Sequence, residues 1–165
     1  MGAPSVTELL RRRHRGLEAR IAALEVDSRF RRARVVQLAE ELVAHATVEQ
    51  LVVYPYAEQL LGVRDLSLEI ERSLDALLSV VGGIDDDEEF AVAITRLSAV
   101  FESHVDGDEV GLLPMIEALG DTDQLARMGG TIEEFERALA TSRTAGPSFW
   151  PETAADVVAR GGGRN

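Results

Sequence analysis

Three histidines stand in this 165-residue chain, His14, His45 and His104, and two of them open the same pattern. "HATVEQLVVYP" begins at His45 and "HVDGDEVGLLP" begins at His104, 59 residues later. Each has an acid four residues after the histidine, an apolar pair near the end, and a closing proline. An imidazole supplies a neutral nitrogen donor and a carboxylate supplies a charged oxygen. At a spacing of four, both lie on one face of a helix, about one turn apart.

The apolar stripes place these groups inward. Leu38, Leu42, His45, Glu49 and Val52 share one stripe; Leu97, Phe101, His104, Asp108 and Leu112 share another. On the first helix Leu10, His14, Leu17, Ile21 and Leu24 do the same. A carboxylate buried without a partner costs several kcal/mol, roughly 3–5 when a charge is left uncompensated. A bound cation is the simplest offset for buried acids beside buried imidazoles. A further stripe, Ser67, Glu71, Leu74, Leu78 and Val81, holds an acid at the equivalent depth. His14, His45, Glu71 and His104 each have an acid four residues on: Glu18, Glu49, Asp75 and Asp108. Ligands drawn from four helices can surround two metal ions. Glu18 and Asp75 read as solvated or supporting acids, and Tyr54 and Tyr56 as packing residues.

The elements that must position these groups are all helical. Ser5 and Glu8 form a capping box for a first helix. Asp27 and Ser28 can cap a second, which runs to about Leu61 with a kink or break near Pro55 and stops at Gly62. A third is expected from about Asp65 to Val81. The acidic run from Asp85 suits the positive end of a fourth helix, which carries Phe90, Ile94, Leu97 and Phe101 and is disturbed near Pro114. Two shorter helices follow, about Thr122–Met128 and about Thr131–Ala140, the latter opened by a Thr131–Glu134 capping box. No segment alternates apolar and polar over strand length. The expected fold is all-α: an antiparallel up-down-up-down four-helix bundle with short C-terminal helices. It forms one domain over residues 1–145. The tail, 146–165, is expected to end in disorder, with Phe149 and Trp150 pinning its start.

Composition narrows the function. The net charge is −12, which opposes nucleic-acid binding and docking on anionic lipid. There is no cysteine, so thiol catalysis, disulfides and iron–sulfur clusters are excluded. Neither a secretory core nor a membrane-length apolar run is present, and a cytoplasmic protein is expected. The cluster "RRRHR" reads as a surface group balancing the acids.

The set of "RRHRGLEARI", "LVAHATVEQLVVYP" and "SHVDGDEVGLLP", with the amphipathic segment between the last two, resembles the hemerythrin-like family, or HHE cation-binding domain. The resemblance covers about Val6 to Ala140. It implies a four-helix bundle holding two non-haem irons, bridged by two carboxylates and an oxo or hydroxo group. It implies binding or sensing of O2, peroxide or nitric oxide. By position, His14, His45, Glu49 and His104 match family ligands, and the second bridging acid is Asp108 or Glu109. The chain departs from the family pattern in two places. Gln50 follows Glu49 where many members have a second acid, and Glu71 stands where the third-helix histidine belongs. With Glu71 as a ligand the site becomes richer in oxygen, which favours ferric iron over reversible O2 binding and makes manganese or zinc alternatives. Two other roles compete: a peroxide-decomposing, catalase-like enzyme, and a metal-free helical interaction module.

Overall fold

The computed structural model describes residues 4–26, 31–64, 84 and 86–145. Every regular element among them is helical. Helix α1 spans Val6–Val26 and α2 spans Arg31–Val48. A π-helical turn, Glu49–Val53, leads into α3, Tyr54–Leu61. Helix α4 covers Asp87–Asp106, and a second π-helical turn, Gly107–Leu112, leads into α5, Leu113–Leu119. Helix α6 closes the described chain at Thr122–Ala145.

Local chemistry explains the boundaries. At the start of α1 the Ser5 backbone N–H donates to Glu8 Oε2 (2.9 Å), and the Glu8 N–H donates to Ser5 Oγ (3.3 Å), the expected reciprocal box. At α4 the N-cap is Asp86, whose Oδ1 accepts from the N–H groups of Glu88 and Glu89, both at 2.9 Å. Gly62 stops α3 in the left-handed conformation, φ 67°, which a side chain would strain.

Helix α1 is the hub, packing against α2, α4 and α6. Two separate apolar clusters fill the interior. One holds Leu17, Ile21, Leu24, Leu38, Leu42, Ile94, Leu97 and Phe101. The other gathers Leu9, Leu10, Val53, Tyr54, Leu113, Ile116 and Ile132. Full burial of each such side chain is worth about 1.5–3 kcal/mol. Ion pairs brace α1 from outside: Arg11 reaches Glu117 of α5, and Arg13 reaches Glu136 of α6. The "RRRHR" cluster is therefore partly inter-helix bracing. No helix among the described residues is long and apolar enough to cross a membrane.

Two expectations are corrected. The chain does not break between Met128 and Thr131. Helix α6 runs straight through Gly129 and Gly130. Gly129 faces the residues just before α1, where a Cβ would lie 2.0 Å from the Pro4 carbonyl oxygen. The glycine serves close packing, not helix termination. Thr131 consequently caps nothing; its hydroxyl donates back to the Arg127 carbonyl at 3.2 Å. The second correction concerns phase. The expected inward residue after Glu49 is Val52, yet Val53 is buried and Val52 is half-exposed. The π turn adds a residue to the turn and moves the inward stripe on by one. The caps at Asp27 and Ser28, the segment 65–81 with Glu71 and Asp75, and the tail 146–165 lie outside the described residues.

Candidate metal centre

The prolines of the repeated pattern explain its shape. Pro55 and Pro114 sit in the first turn of α3 and α5, immediately after the two π turns. A proline inside a helix lacks an N–H and collides with the carbonyl four residues back. A wider turn relieves both problems, because π-helical bonding runs from i to i+5. The two repeats thus carry matching π turns, each beginning at or beside its acid: Glu49 opens the first, and Asp108 is second in the other.

These turns lie level with the three histidines. His14, His45 and Glu49 are buried, His104 nearly so. The Nε2 atoms of all three rings face one carboxylate oxygen. Glu49 Oε1 is 3.2 Å from His45 Nε2, 3.5 Å from His104 Nε2 and 3.6 Å from His14 Nε2. His45 and His104 approach each other through Nε2 at 3.3 Å. Phe101 seals one side, its ring centroid 6.2, 6.1 and 5.8 Å from those of His14, His45 and His104.

Asp108 and Glu109 divide their work. Asp108 is buried, and its Oδ2 lies 3.9 Å from the Nε2 atoms of both His14 and His104. Glu109 approaches the other nitrogen of His14, with Oε1 2.9 Å from Nδ1. Adjacent residues on a regular helix diverge by about 100°, so one of the pair is expected to face solvent. The π turn lets both reach the interior, and the Glu109 side chain is only 26% exposed. Glu18 is half-buried, outside the cluster, and Tyr54 packs in the apolar interior.

The electrostatics of this pocket are unusual for an apolar interior. Burial, reinforced by the other two histidines and Arg13 against the pull of Glu49, pushes His45 down to about 3. Its ring is therefore neutral at physiological pH, with a lone pair available. Burial opposes ionisation of Glu49, but His45 and contacts from His104 and His14 outweigh it and hold the carboxyl well below the usual range. Burial and the charge of Glu49 push Asp108 up to about 7.

Several of these atoms are short of partners. His14 Nε2, both oxygens of Glu49 and Asp108 Oδ2 are buried with no hydrogen-bond partner among the described residues. An unsatisfied buried polar atom costs about 1–3 kcal/mol, and more when charged. Buried, unpartnered atoms on His14, Glu49 and Asp108, gathered beside the rings of His45 and His104, are what a cation requires. His14, His45, Glu49 and His104 each offer a ligand atom, all within 4.8 Å of one another. The donor set therefore fits a metal ion.

Neither the curated proteins nor the solved structures yield a match to this chain. A family model does. The hemerythrin HHE cation-binding domain matches residues 5–116, a span that takes in the whole cluster and well over half of the sequence, so the chain belongs to the hemerythrin HHE cation-binding family.

Proposed function

We propose that this protein holds a dinuclear non-haem iron centre and uses it to bind or sense O2, peroxide or nitric oxide. The observation that carries the reading is the layer of buried, unpartnered donor atoms on His14, Glu49 and Asp108, facing the rings of His45 and His104. Three imidazoles and two carboxylates suit iron, with manganese and zinc as the competing ions. In this reading His14, His45 and His104 are nitrogen ligands, and Glu49 and Asp108 are the carboxylates that span the pair. Glu71, from the segment 65–81, completes the set. Glu109 is not a ligand but the acceptor that orients His14.

The same reading makes the segment 65–81 the remaining helix of an antiparallel up-down-up-down bundle. Support comes from α1, which packs against both α2 and α4. In such a bundle α2 and α4 would be the diagonal pair.

When bound, iron supplies electron exchange with the small ligand. The chain supplies the rest. Burial keeps His45 neutral so that its Nε2 donates a lone pair rather than a proton. Asp108 stores a proton at its carboxyl while no cation is near, and releases it when one arrives. Phe101 and the flanking aliphatic residues keep bulk water from the ring side of the pocket. The experiment is metal analysis with an optical spectrum after iron-supplemented expression. About two irons per chain and a near-ultraviolet charge-transfer band are expected for a dinuclear site. Protein that purifies with no metal under those conditions removes the proposal.

A further inference from the structure

Both π turns border the same polar layer, yet they are built differently. The first, Glu49–Val53, holds no glycine, and Val53 is fully buried in the apolar interior. The second, Gly107–Leu112, has a glycine near each end, Gly107 and Gly111. Neither has the left-handed backbone that demands glycine. A Cβ on either would meet nothing within 4 Å among the described residues. Room and conformation both admit alanine there. What glycine adds is backbone freedom, because it weakens a helical turn more than any residue except proline.

The pocket is also least sealed on this side. The side chains of His14, His45 and Glu49 are 0–4% exposed, against 13% for His104 and 26% for Glu109. Between the two glycines one close polar contact reaches across to α1, from Glu109 Oε1 to His14 Nδ1 at 2.9 Å. Asp108 stands farther off, its Oδ2 3.9 Å from His14 Nε2. A short segment pinned near its middle and loosened at both ends has the build of a latched flap.

We infer that the second π turn is the entrance to the buried pocket. It swings on Gly107 and Gly111, Glu109 latches it to His14, and the first π turn stays in place. Segments that open in this way come from the least stable part of a fold, and small residues often absorb the backbone change. The opening is a property of the polypeptide and requires no bound ion. That the entrant is a diatomic molecule or peroxide rests on the function proposed above.

The test uses the metal-free full chain. Amide hydrogen exchange should be faster across residues 107–112 than across 49–53. Gly107→Ala combined with Gly111→Ala should slow the second turn by about five- to thirtyfold, the combined effect of two such replacements. Glu109→Ala, which removes the latch, should speed it. Carbethoxylation reads the same opening from inside, since all three histidines of the chain line the pocket. His104 should react first. The initial rates at His14 and His45 should fall by the same factor as the exchange in the double alanine variant. Gly130→Ala is the control, a helical glycine with open space away from the pocket, and should leave those rates unchanged. Circular dichroism confirms that each variant is folded, and the single alanine variants stand in for the double one should it fail that check. Equal exchange of the two turns overturns the inference. So does indifference of the turn to Glu109→Ala, or histidine modification that the two alanines do not slow or that Gly130→Ala slows equally. None of these results touches the metal-binding reading, and protein that binds no metal leaves the flap testable by the same measurements.

Discussion

Nδ1 of His14 lies 2.9 Å from Oε1 of Glu109, a contact between α1 and the second π turn that bridges 95 residues of sequence. An ionised carboxylate only accepts, so the ring donates from Nδ1 and keeps the lone pair on Nε2. The contact therefore fixes the tautomer that can bind a cation and aims it at Glu49. Glu109→Ala should weaken metal affinity by about 10–100-fold, the usual cost of an outer-shell partner. Glu109→Gln retains an acceptor and should lie much closer to the parent. Near-total loss of metal in both variants would instead make Glu109 a direct ligand.

Proton release should track Asp108. Its folded carboxyl titrates at about 7, above its ordinary 3.8, so the metal-free protein holds an extra proton between those values. That proton leaves when a cation arrives, and metal affinity should rise with pH until about 7 and then level. Calorimetry in buffers of different ionisation enthalpy should show more proton release near pH 5.5 than near pH 8.5. His45 contributes nothing in this window, since burial has already stripped its proton down to about 3. Asp108→Asn should reduce the release near pH 5.5; an unchanged release would assign the proton elsewhere.

Those same two groups predict a flat stability profile without metal. His45 has a depressed folded pKa, so its stabilising contribution grows as pH rises from about 3 to 6.5. Asp108 has a raised folded pKa, so its contribution falls as pH rises from 3.8 to about 7. The slopes cancel between about pH 4.5 and 6.5; below 4.5 Glu49, held beneath the usual carboxylate range, adds a rising slope of its own. In chemical denaturation of the metal-free chain, Asp108→Asn should expose the His45 slope, with stability rising between about pH 4 and 6.5. A variant as flat as the parent would refute the pairing.

Stripping the metal should lower the melting temperature. A cation at a thousandfold excess over its dissociation constant stabilises by about 4 kcal/mol, which corresponds to roughly 8–16 °C for a chain of this size. Differential scanning calorimetry with and without a chelator measures it. No shift would favour the metal-free interaction module over any metalloprotein.

The glycines of α6 should respond in opposite directions. A Cβ at Gly130 meets nothing within 4 Å, so Gly130→Ala should stabilise by about 0.5–1 kcal/mol. Gly129→Ala drives a Cβ to 2.0 Å from the Pro4 carbonyl and should cost about 1–3 kcal/mol. Equal effects in thermal melts would contradict the packing described for the N-terminal residues.

The repeat made the centre of this molecule readable. His45, Glu49 and His104 were visible because polar residues at helical spacing interrupt otherwise apolar stripes, and their side chains do converge. The Ser5–Glu8 box and the Gly62 stop were equally plain, since each follows from local backbone chemistry. The π turns were not legible. Neither "EQLVV" nor "GDEVGL" carries a residue type that is specific to a π turn, and a period of 3.6 carried through them puts Val52 inward in place of Val53. The prolines were the available signal, read as kinks when they follow a widened turn. The division between Asp108 and Glu109 was hidden for the same reason. Gly129 and Gly130 misled because a glycine pair looks identical whether it ends a helix or admits a neighbouring backbone, and only the position of Pro4 distinguishes the two.

Leu10 and Leu17 of α1 belong to different apolar clusters, and His14 lies between them. The same succession holds on α2 and the π turn that follows it: Leu42, then His45 and Glu49, then Val53. The interior is thus two half-cores stacked through a polar stratum. Each alone is small for an independent folding unit. Whether they melt together or in turn depends on how firmly that stratum joins them, so the cooperativity of the described helices turns in part on polar side chains that add little to their hydrophobic burial.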